Sequence, residues 1–280
     1  MNFLSGLHPN NNSRTDYSTS KVNILGVGIN PINIQQALEI IINWVECKEK
    51  KYICVTPAHG VMDCQKDKEL RKIFNGSGLT TPDGMSIVWI LKLLGHRNVS
   101  RVYGPDLMET ICSYSSEKSK YRHFLYGGAQ GIPGKLSEML QSDYPKLNII
   151  GTYSPPFRPL TPEEDEEIIT RINDLAPDFV WVGISTPKQE LWMASHIDRL
   201  NAPIIIGVGA AFDFLSGTKN QAPKWIQHSG FEWLFRLINE PKRLWRRYIM
   251  YPYFSVLVIS QLLGIRSYSI EYPDIDPNHG

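Results

Sequence analysis

Residues 179–183, FVWVG, and residues 204–209, IIIGVG, are two short runs built almost wholly from apolar side chains. A strand covered by helices on both faces has this composition, because neither face meets water. Other short runs rich in β-branched or aromatic residues precede them, and each predicts a strand, at 22–27, 52–56, 79–81, 123–126 and 148–152. These runs predict a buried, largely parallel sheet.

Amphipathic stretches of helical length lie between these runs. They predict helices at 34–47, 61–74, 85–94, 106–116, 133–143, 162–175 and 188–196. The sixth begins at Thr161-Pro162-Glu163-Glu164, which combines a capping residue, a proline at the first helical position and acidic side chains in the first turn. The alternation of strands and helices predicts a doubly wound, mostly parallel α/β sheet.

Length and composition limit the class of protein. The chain has 280 residues, of which 42% are hydrophobic and 20% are charged, and this is a globular composition. The formal net charge of +1 argues against a generally basic nucleic-acid binder. The four cysteines form no C-x-x-C pair, so a cysteine-based zinc or redox site is not indicated, and a reducing cytosol is expected.

Composition divides the chain into four parts. Residues 1–20 are rich in Asn, Ser and Thr and are predicted to be a disordered leader without a signal sequence. Residues 21–220 hold every predicted strand and form the predicted α/β domain. Residues 221–265 are crowded with aromatic and basic side chains and predict a helical appendage, followed by an irregular tail at 266–280. No run of about 20 apolar residues occurs, so no transmembrane helix is expected.

Polar or glycine-rich segments follow five of the predicted strands. They are TPAHG at 56–60, PDG at 82–84, GGAQG at 127–131, STPKQE at 185–190 and GAAFD at 209–213. Ligands of open α/β sheets bind beyond the carboxyl ends of the strands. We therefore expect these segments to border one crevice.

Three candidate side chains in these segments have two interpretations each. Asp83 is either the N-cap of the next helix or a general base that takes a proton from a sugar hydroxyl. Asp213 has the same ambiguity, and as a ligand group it would accept hydrogen bonds from ribose hydroxyls. His59 is either a base or a polar residue that opens a helix.

The remaining candidates concern anions. Gly127 and Gly128 open a turn whose amides would suit a diphosphate, although such a turn is often only a tight turn. Gln189 starts a helix, where solvent exposure is the default, but its place after a buried strand favours a ligand role. Arg101 is either a surface ion pair or a phosphate clamp. The glycine pattern lacks the full G-x-G-x-x-G spacing, which argues against a dinucleotide-dependent oxidoreductase.

No constellation of metal ligands stands at a predicted strand end, and the DID at 274–276 lies in the tail. We therefore expect neither a metal nor a cofactor, with arginine, lysine and amide groups meeting the charge of a departing diphosphate. Basic and aromatic residues interleave at 225–253. This pattern is typical either of ordinary surface helices or of an interfacial helix on anionic lipid, and it favours nucleic acid less.

Six segments in fixed order carry a resemblance to a known family. They are TPDGMSIVWILKLLG, RVYGPDLM, FLYGGAQG, VGISTPKQELW, GVGAAFDFLSG and RLINEPKRLWRRY. In order and approximate spacing, from about Val22 to Gly264, they resemble the WecG/TagA/CpsF family of bacterial glycosyltransferases. The resemblance implies a Rossmann-like α/β fold with a C-terminal membrane-binding appendage. It also implies inverting, metal-independent transfer of a sugar from a UDP-sugar.

The implied acceptor is a polyprenyl-diphosphate-linked saccharide at the cytoplasmic face of the plasma membrane. The implied donor sugars are N-acetylmannosamine, its uronic acid, or glucuronate and other sugars, for wall teichoic acid, enterobacterial common antigen or exopolysaccharide. The partners expected are thus the UDP-sugar, the lipid-linked acceptor and an anionic membrane surface, with a homo-oligomer left open. A dinucleotide-dependent oxidoreductase and a non-catalytic nucleotide-sugar-binding protein stay as alternatives.

The resemblance also assigns roles to single residues. Asp83 matches the proposed general base, and Thr56 would lie near the reacting sugar. Arg101 matches the arginine of the RVYG motif. Gln189 and Asp213 would lie in the nucleotide-sugar pocket, and the appendage arginines would close over the diphosphate, namely Arg236, Arg243 and Arg246. Many members carry Asn two or three residues after the threonine, where this chain reads TPAHG and His59 would take that role.

Overall fold

The structure is a computed structural model that describes residues 20–273. The predicted leader at 1–20 lies outside the described residues except for Ser20, and so does the predicted tail from residue 274 onward. The strands of the described chain are β1 (Val22–Ile24), β2 (Val27–Ile29), β3 (Lys51–Thr56), β4 (Leu79–Pro82), β5 (Arg122–Gly127), β6 (Asn148–Tyr153), β7 (Phe179–Gly183) and β8 (Ile204–Gly207).

Helices connect and follow these strands. Those before the last strand are α1 (Ile34–Glu46), α2 (Ala58–Asp63), α3 (Lys68–Gly76), α4 (Met85–Leu93), α5 (Gly104–Lys118), α6 (Ile132–Asp143), α7 (Pro162–Leu175) and α8 (Lys188–His196). Those after it are α9 (Ala211–Leu215), α10 (Lys224–His228), α11 (Glu232–Asn239), α12 (Pro241–Tyr248) and α13 (Tyr251–Leu262).

Six strands form one parallel sheet in the order β4-β3-β8-β7-β5-β6. Successive residues of β7 alternate between two hydrophobic clusters, because side chains of a strand point to opposite faces. Val180 and Val182 pack with α2, α3, α7 and α8 on one face, while Phe179 and Trp181 pack with α1, α5 and α6 on the other. Helices therefore cover both faces, and the predicted doubly wound, Rossmann-like fold is confirmed.

The predicted strand at 22–27 is wrong, because this segment is the start of a hairpin. β1 and β2 pair antiparallel around Leu25 and Gly26, with Val22 opposite Ile29. Both turn residues have positive φ, 54° and 83°, as a tight two-residue hairpin requires. Because Leu25 is apolar, the sequence pattern did not indicate a turn at this position.

The predicted helix at 61–74 is also wrong, since two helices occupy this region. Asp67 separates the two helices as the N-cap of α3. Its side chain accepts a hydrogen bond of 3.0 Å from the amide of Leu70. The preceding helix α2 begins already at Ala58, directly after Pro57. This early start places His59 in the first turn of a helix at the end of β3.

The C-terminal helices pack on the α/β core. Phe254, Leu257 and Val258 of α13 belong to the same hydrophobic cluster as residues of α2. After α13 the chain returns to the N-terminal hairpin, where the Asn23 side chain donates to the Tyr268 carbonyl at 2.6 Å. The division of the chain at residue 220 stays a prediction. No helix within residues 20–273 is long and apolar enough to cross a membrane.

Candidate functional site

Two cavities adjoin at the carboxyl edge of the sheet. The strand-end cavity lies over the ends of β3, β4, β7 and β8, and its walls include Thr186, Gln189, Gly209, Phe214 and Arg247. The aromatic cavity, of about 460 Å³, lies between α4 and the C-terminal helices, and its walls include Trp89, Trp233, Tyr248 and Tyr251. Both cavities are bordered by Pro57, His59, Asp83 and Arg236.

A further groove, of about 580 Å³, lies between β6 and α7 and is lined by Ile150, Glu167, Thr170, Arg171, Asp174 and Leu175. It is open to solvent and contains none of the predicted site residues. Buried ionisable groups converge instead at the two adjoining cavities. We therefore place the candidate site there.

Asp83 lies at the junction of the two cavities, directly after β4. Its backbone amide donates to the Thr56 carbonyl at 3.2 Å, which ties it to the end of β3. Its Oδ1 atom is buried and accepts no hydrogen bond within the described chain. The N-cap of α4 is Gly84, without a side-chain cap hydrogen bond. The carboxylate is thus free of a capping role.

Burial raises the pKa of the Asp83 carboxyl from its ordinary 3.8 to about 6. The nearby Arg101 opposes this shift, and Glu232 adds to it. A carboxylate with a raised pKa is a stronger base than one in water, yet it is still largely ionised at neutral pH. This combination suits a general base.

Arg101 is held by contacts on every side. Its Nη2 atom lies 2.5 Å from Glu232 Oε2 and 3.6 Å from Asp83 Oδ1. Its Nε donates to the Asp83 carbonyl, and Nη1 lies 3.4 Å from Gln227 Oε1. Its guanidinium carbon stands 3.8 Å above the Tyr103 ring. Arg101 therefore links Asp83, after β4, to Glu232 on α11.

His59 is buried at the start of α2, and its Nδ1 atom has no hydrogen-bond partner in the described chain. Burial lowers the pKa of His59 well below its usual value, and Arg247 and Arg236 lower it further. The ring is therefore neutral at neutral pH. Thr56, in contrast, donates its hydroxyl to the Cys54 carbonyl at 2.9 Å and is absent from the walls of both cavities.

Gln189 lies in the wall of the strand-end cavity and is oriented by the neighbouring Glu190. Its Nε2 donates to Glu190 Oε1 at 3.0 Å, as does the Thr186 hydroxyl at the same distance. The Gln189 Oε1 atom is buried without a partner. This contact places the amide nitrogen of Gln189 toward Glu190. The carbonyl oxygen of Gln189 is thus available to a donor group.

Glu190 was not predicted as a site residue, although it follows Gln189 directly. It is fully buried, and burial raises its pKa to about 7. The available signal was an acidic residue in the first turn of a helix that follows a wholly apolar strand.

The structure separates the appendage arginines into two groups. Arg236 and Arg247 border the strand-end cavity, and neither forms an ion pair with a carboxylate in residues 20–273. Arg243 pairs with Glu240 at 2.6 Å, and Arg246 lies against the Trp245 ring. The latter two line neither cavity.

Arg247 was therefore missed as a site residue. On α12 it follows the buried Leu244 by three positions and precedes the buried Tyr248. Residues three apart share a helix face, so the apolar positions carried the available signal. Its Nη2 lies 3.4 Å from the Thr186 carbonyl, beside the end of β7.

Gly127, Gly128 and Asp213, like Thr56, Arg243 and Arg246, lie outside the walls of the two cavities. The Gly128 amide donates to the Gly183 carbonyl at 3.0 Å, so this amide is used within the fold. A Cβ on Gly127 would lie 2.6 Å from the backbone of Gly183, so glycine is needed for the close approach there. The Asp213 carboxylate pairs with Lys219 at 2.8 Å.

A buried carboxylate of raised pKa, two arginines without carboxylate partners and two adjoining cavities lie at one edge of a doubly wound sheet. These features are typical of an α/β enzyme that transfers a group carried by an anionic substrate. The chain belongs to the glycosyl transferase WecG/TagA/CpsF family, whose family model matches residues 22–268. The resemblance found in the sequence is thereby confirmed, and the chain is a glycosyltransferase.

Two relatives carry the same name, N-acetylglucosaminyldiphosphoundecaprenol N-acetyl-beta-D-mannosaminyltransferase. The one from Bacillus subtilis (strain 168) is 29% identical over 215 residues, which cover 76% of this chain and 80% of the relative. The one from Bacillus spizizenii (strain ATCC 23059 / NRRL B-14472 / W23) is 27% identical over 197 residues, 70% of this chain and 74% of the relative. The alternatives of an oxidoreductase and of a non-catalytic sugar-nucleotide-binding protein are therefore set aside.

Proposed function

We propose that this enzyme transfers a sugar from a UDP-sugar to a polyprenyl-diphosphate-linked saccharide during synthesis of a cell-surface polysaccharide. The sugar is N-acetylmannosamine, its uronic acid or glucuronate. The names of the two relatives support a diphosphoundecaprenol-linked acceptor. The observation that carries the proposal is that the two cavities meet at Asp83. Donor and acceptor can then reach one carboxylate from opposite sides.

The diphosphate of the donor lies at the strand-end cavity, which at about 50 Å³ does not enclose a whole UDP-sugar. Arg236 and Arg247 border it without carboxylate partners, so they are free to bind a diphosphate. Guanidinium groups bind phosphate oxygens through charge-assisted hydrogen bonds. The free carbonyl oxygen of Gln189 accepts a hydrogen bond from a hydroxyl or N–H group of the donor.

The acceptor saccharide occupies the aromatic cavity. Trp89, Trp233 and Tyr251 supply flat apolar surfaces there. The apolar faces of a sugar ring pack well on such rings, while its hydroxyl groups face the polar floor. This arrangement brings an acceptor hydroxyl to Asp83.

The reaction is a single displacement. The Asp83 carboxylate takes the proton of the acceptor hydroxyl as that oxygen attacks the anomeric carbon of the donor. The new C–O bond forms on the face opposite the bond to UDP, which breaks with its electron pair going to the diphosphate oxygen. Configuration at the anomeric carbon is therefore inverted. Arg236 and Arg247 stabilise the charge that develops on the diphosphate, without a metal ion.

The enzyme works at the cytoplasmic face of the plasma membrane as a peripheral protein. Exposed apolar side chains on α11 and α13 and directly after α12 and α13 support this location, among them Ile238, Ile249, Val256 and Leu263. Arg243 and Arg246 are exposed on α12 beside them. Apolar and basic groups together favour an anionic lipid surface.

The test is a donor panel. UDP-N-acetylmannosamine, its uronic acid and UDP-glucuronate are each incubated with a short-chain polyprenyl diphosphate that carries N-acetylglucosamine. With one donor we expect UDP release that depends on the acceptor and a product of the expected mass. The anomeric coupling constant of this product should show inverted configuration. The control omits the acceptor and reports hydrolysis. Failure of every donor to give a product would contradict the proposal.

A further inference from the structure

The Arg101 guanidinium lies between the carboxylates of Asp83 and Glu232 in the wall of the aromatic cavity. Arg101 Nη2 is 2.5 Å from Glu232 Oε2 but 3.6 Å from Asp83 Oδ1. All three side chains are largely buried, with 13%, 12% and 18% of their surface exposed. Arg101 thus forms its close ion pair with Glu232, while the Asp83 Oδ1 atom keeps no hydrogen-bond partner in the described chain.

We propose that Glu232 is a positioning residue that engages the Arg101 guanidinium and so keeps the Asp83 carboxylate free to act as the base. This inference rests on the proposed function, in which Asp83 takes the proton of the acceptor. Glu232 lies in the wall of the aromatic cavity, and in that scheme it acts on the Asp83 carboxylate through Arg101. No other residue of α11 forms an ion pair with Arg101 in the described chain.

The position of Arg101 makes the competition between the two carboxylates direct. Its Nε donates to the Asp83 carbonyl, and its guanidinium lies over the Tyr103 ring. These two contacts keep the guanidinium close to Asp83, whichever carboxylate Nη2 contacts. Without the charge of Glu232, a small rotation would bring Nη2 to the Asp83 carboxylate. A full ion pair lowers the pKa of a carboxyl group and weakens it as a base.

The other charged and titratable groups around Asp83 do not reverse this expectation. They are His59 from α2, Tyr103, Asp106 from α5, Arg236 from α11, Tyr248 from α12 and Tyr251 from α13. Removal of the Glu232 charge leaves Arg101 and Arg236 opposed by Asp106 alone. The loss of a negative neighbour and the closer approach of Arg101 both lower the pKa of Asp83.

The test compares the wild type with Glu232→Gln, which keeps the size of the side chain and removes its charge. The Asp83 carboxyl is titrated by carbon-13 NMR, assigned with Asp83→Asn, and the pH profile of kcat/KM is measured in parallel. We expect both the Asp83 titration and the acid limb of the profile to move down by about one pH unit or more. The plateau rate should fall as well.

Two further variants sharpen the result. Glu166 forms an exposed ion pair of the same length, 2.5 Å, with Arg199, and neither residue lines the two cavities, so Glu166→Gln is the control and should leave both titrations in place. Glu232→Asp keeps the charge but retracts it by one methylene, and it should give a smaller downward shift. It also replaces Glu232→Gln if that variant does not fold.

An unchanged Asp83 titration in the folded Glu232 variants would overturn the inference and leave Glu232 as a structural tie. Failure of the proposed function has a different signature. If Asp83→Asn kept its turnover, Asp83 would not be the base, yet the NMR titration would still report whether Glu232 governs the Asp83 carboxyl.

Discussion

Replacement of Asp83 by Asn should make the protein more stable at neutral pH while it removes the base. The pKa of Asp83 is about 6 in the folded protein against an ordinary 3.8. At roughly 1.4 kcal/mol for each unit of pKa, this difference of about two units corresponds to about 3 kcal/mol of unfolding free energy. The uncharged Asn avoids this cost.

The sign follows from linkage. Below pH 3.8 the carboxyl is protonated in both states, so it contributes no penalty. Between pH 3.8 and about 6 the unfolded chain releases the proton first, and the wild type loses stability relative to the variant as the pH rises. Above about pH 6 the full difference is present. The variant should therefore gain most at pH 7.5 and little near pH 4.

Urea denaturation of wild type and Asp83→Asn at a series of pH values measures this difference. Asp143→Asn, at an exposed position in α6, is the control for the loss of one carboxylate at the surface. A variant less stable than the wild type at pH 7.5 would contradict this prediction. That result would mean that the contact of Asp83 with Arg101 stabilises the fold by more than burial of the charge costs.

The remaining predictions concern the anion site, metal ions and the membrane surface. Arg247→Ala should weaken UDP binding by about tenfold or more in titration calorimetry, because it removes charge-assisted hydrogen bonds, whereas Arg243→Ala should change UDP binding little. Equal effects of the two variants would contradict the assignment of Arg247 to the diphosphate. Transfer should persist in excess EDTA, and a loss restored by Mg²⁺ or Mn²⁺ would show a metal requirement. Ile238→Glu and Leu263→Glu should reduce pelleting with anionic liposomes at constant fold, and unchanged pelleting would remove these side chains from the membrane surface.

The parts of the fold that the sequence predicted have strong local signals. The helix predicted at 162–175 is confirmed with the same ends, because the Thr161 side chain and Glu164 form the reciprocal capping box. The strand predicted at 179–183 is likewise confirmed. The errors at Leu25 and Asp67 arose where an apolar residue occupied a turn and where a capping residue lay inside a helical pattern.

The candidate site depends on contacts that no local pattern encodes. Arg101 meets Asp83 and Glu232, which lie 18 positions before it and 131 positions after it in the chain. A sequence pattern can indicate a candidate site residue, but it does not show which distant residues form contacts with one another. The choice of Arg247 over Arg243 likewise depends on which face of α12 packs on the core, and tertiary packing decides this.

In the proposed reaction, Asp83 takes the proton of the acceptor during transfer. A single-turnover assay with saturating UDP-sugar and lipid-linked acceptor tests it most directly, with wild type and Asp83→Asn compared at pH 7.5. We expect a rate lower by roughly 10²–10⁴-fold in the variant, with UDP affinity nearly unchanged. A variant that transfers within about tenfold of the wild-type rate, far less than the loss of a general base costs, would contradict it.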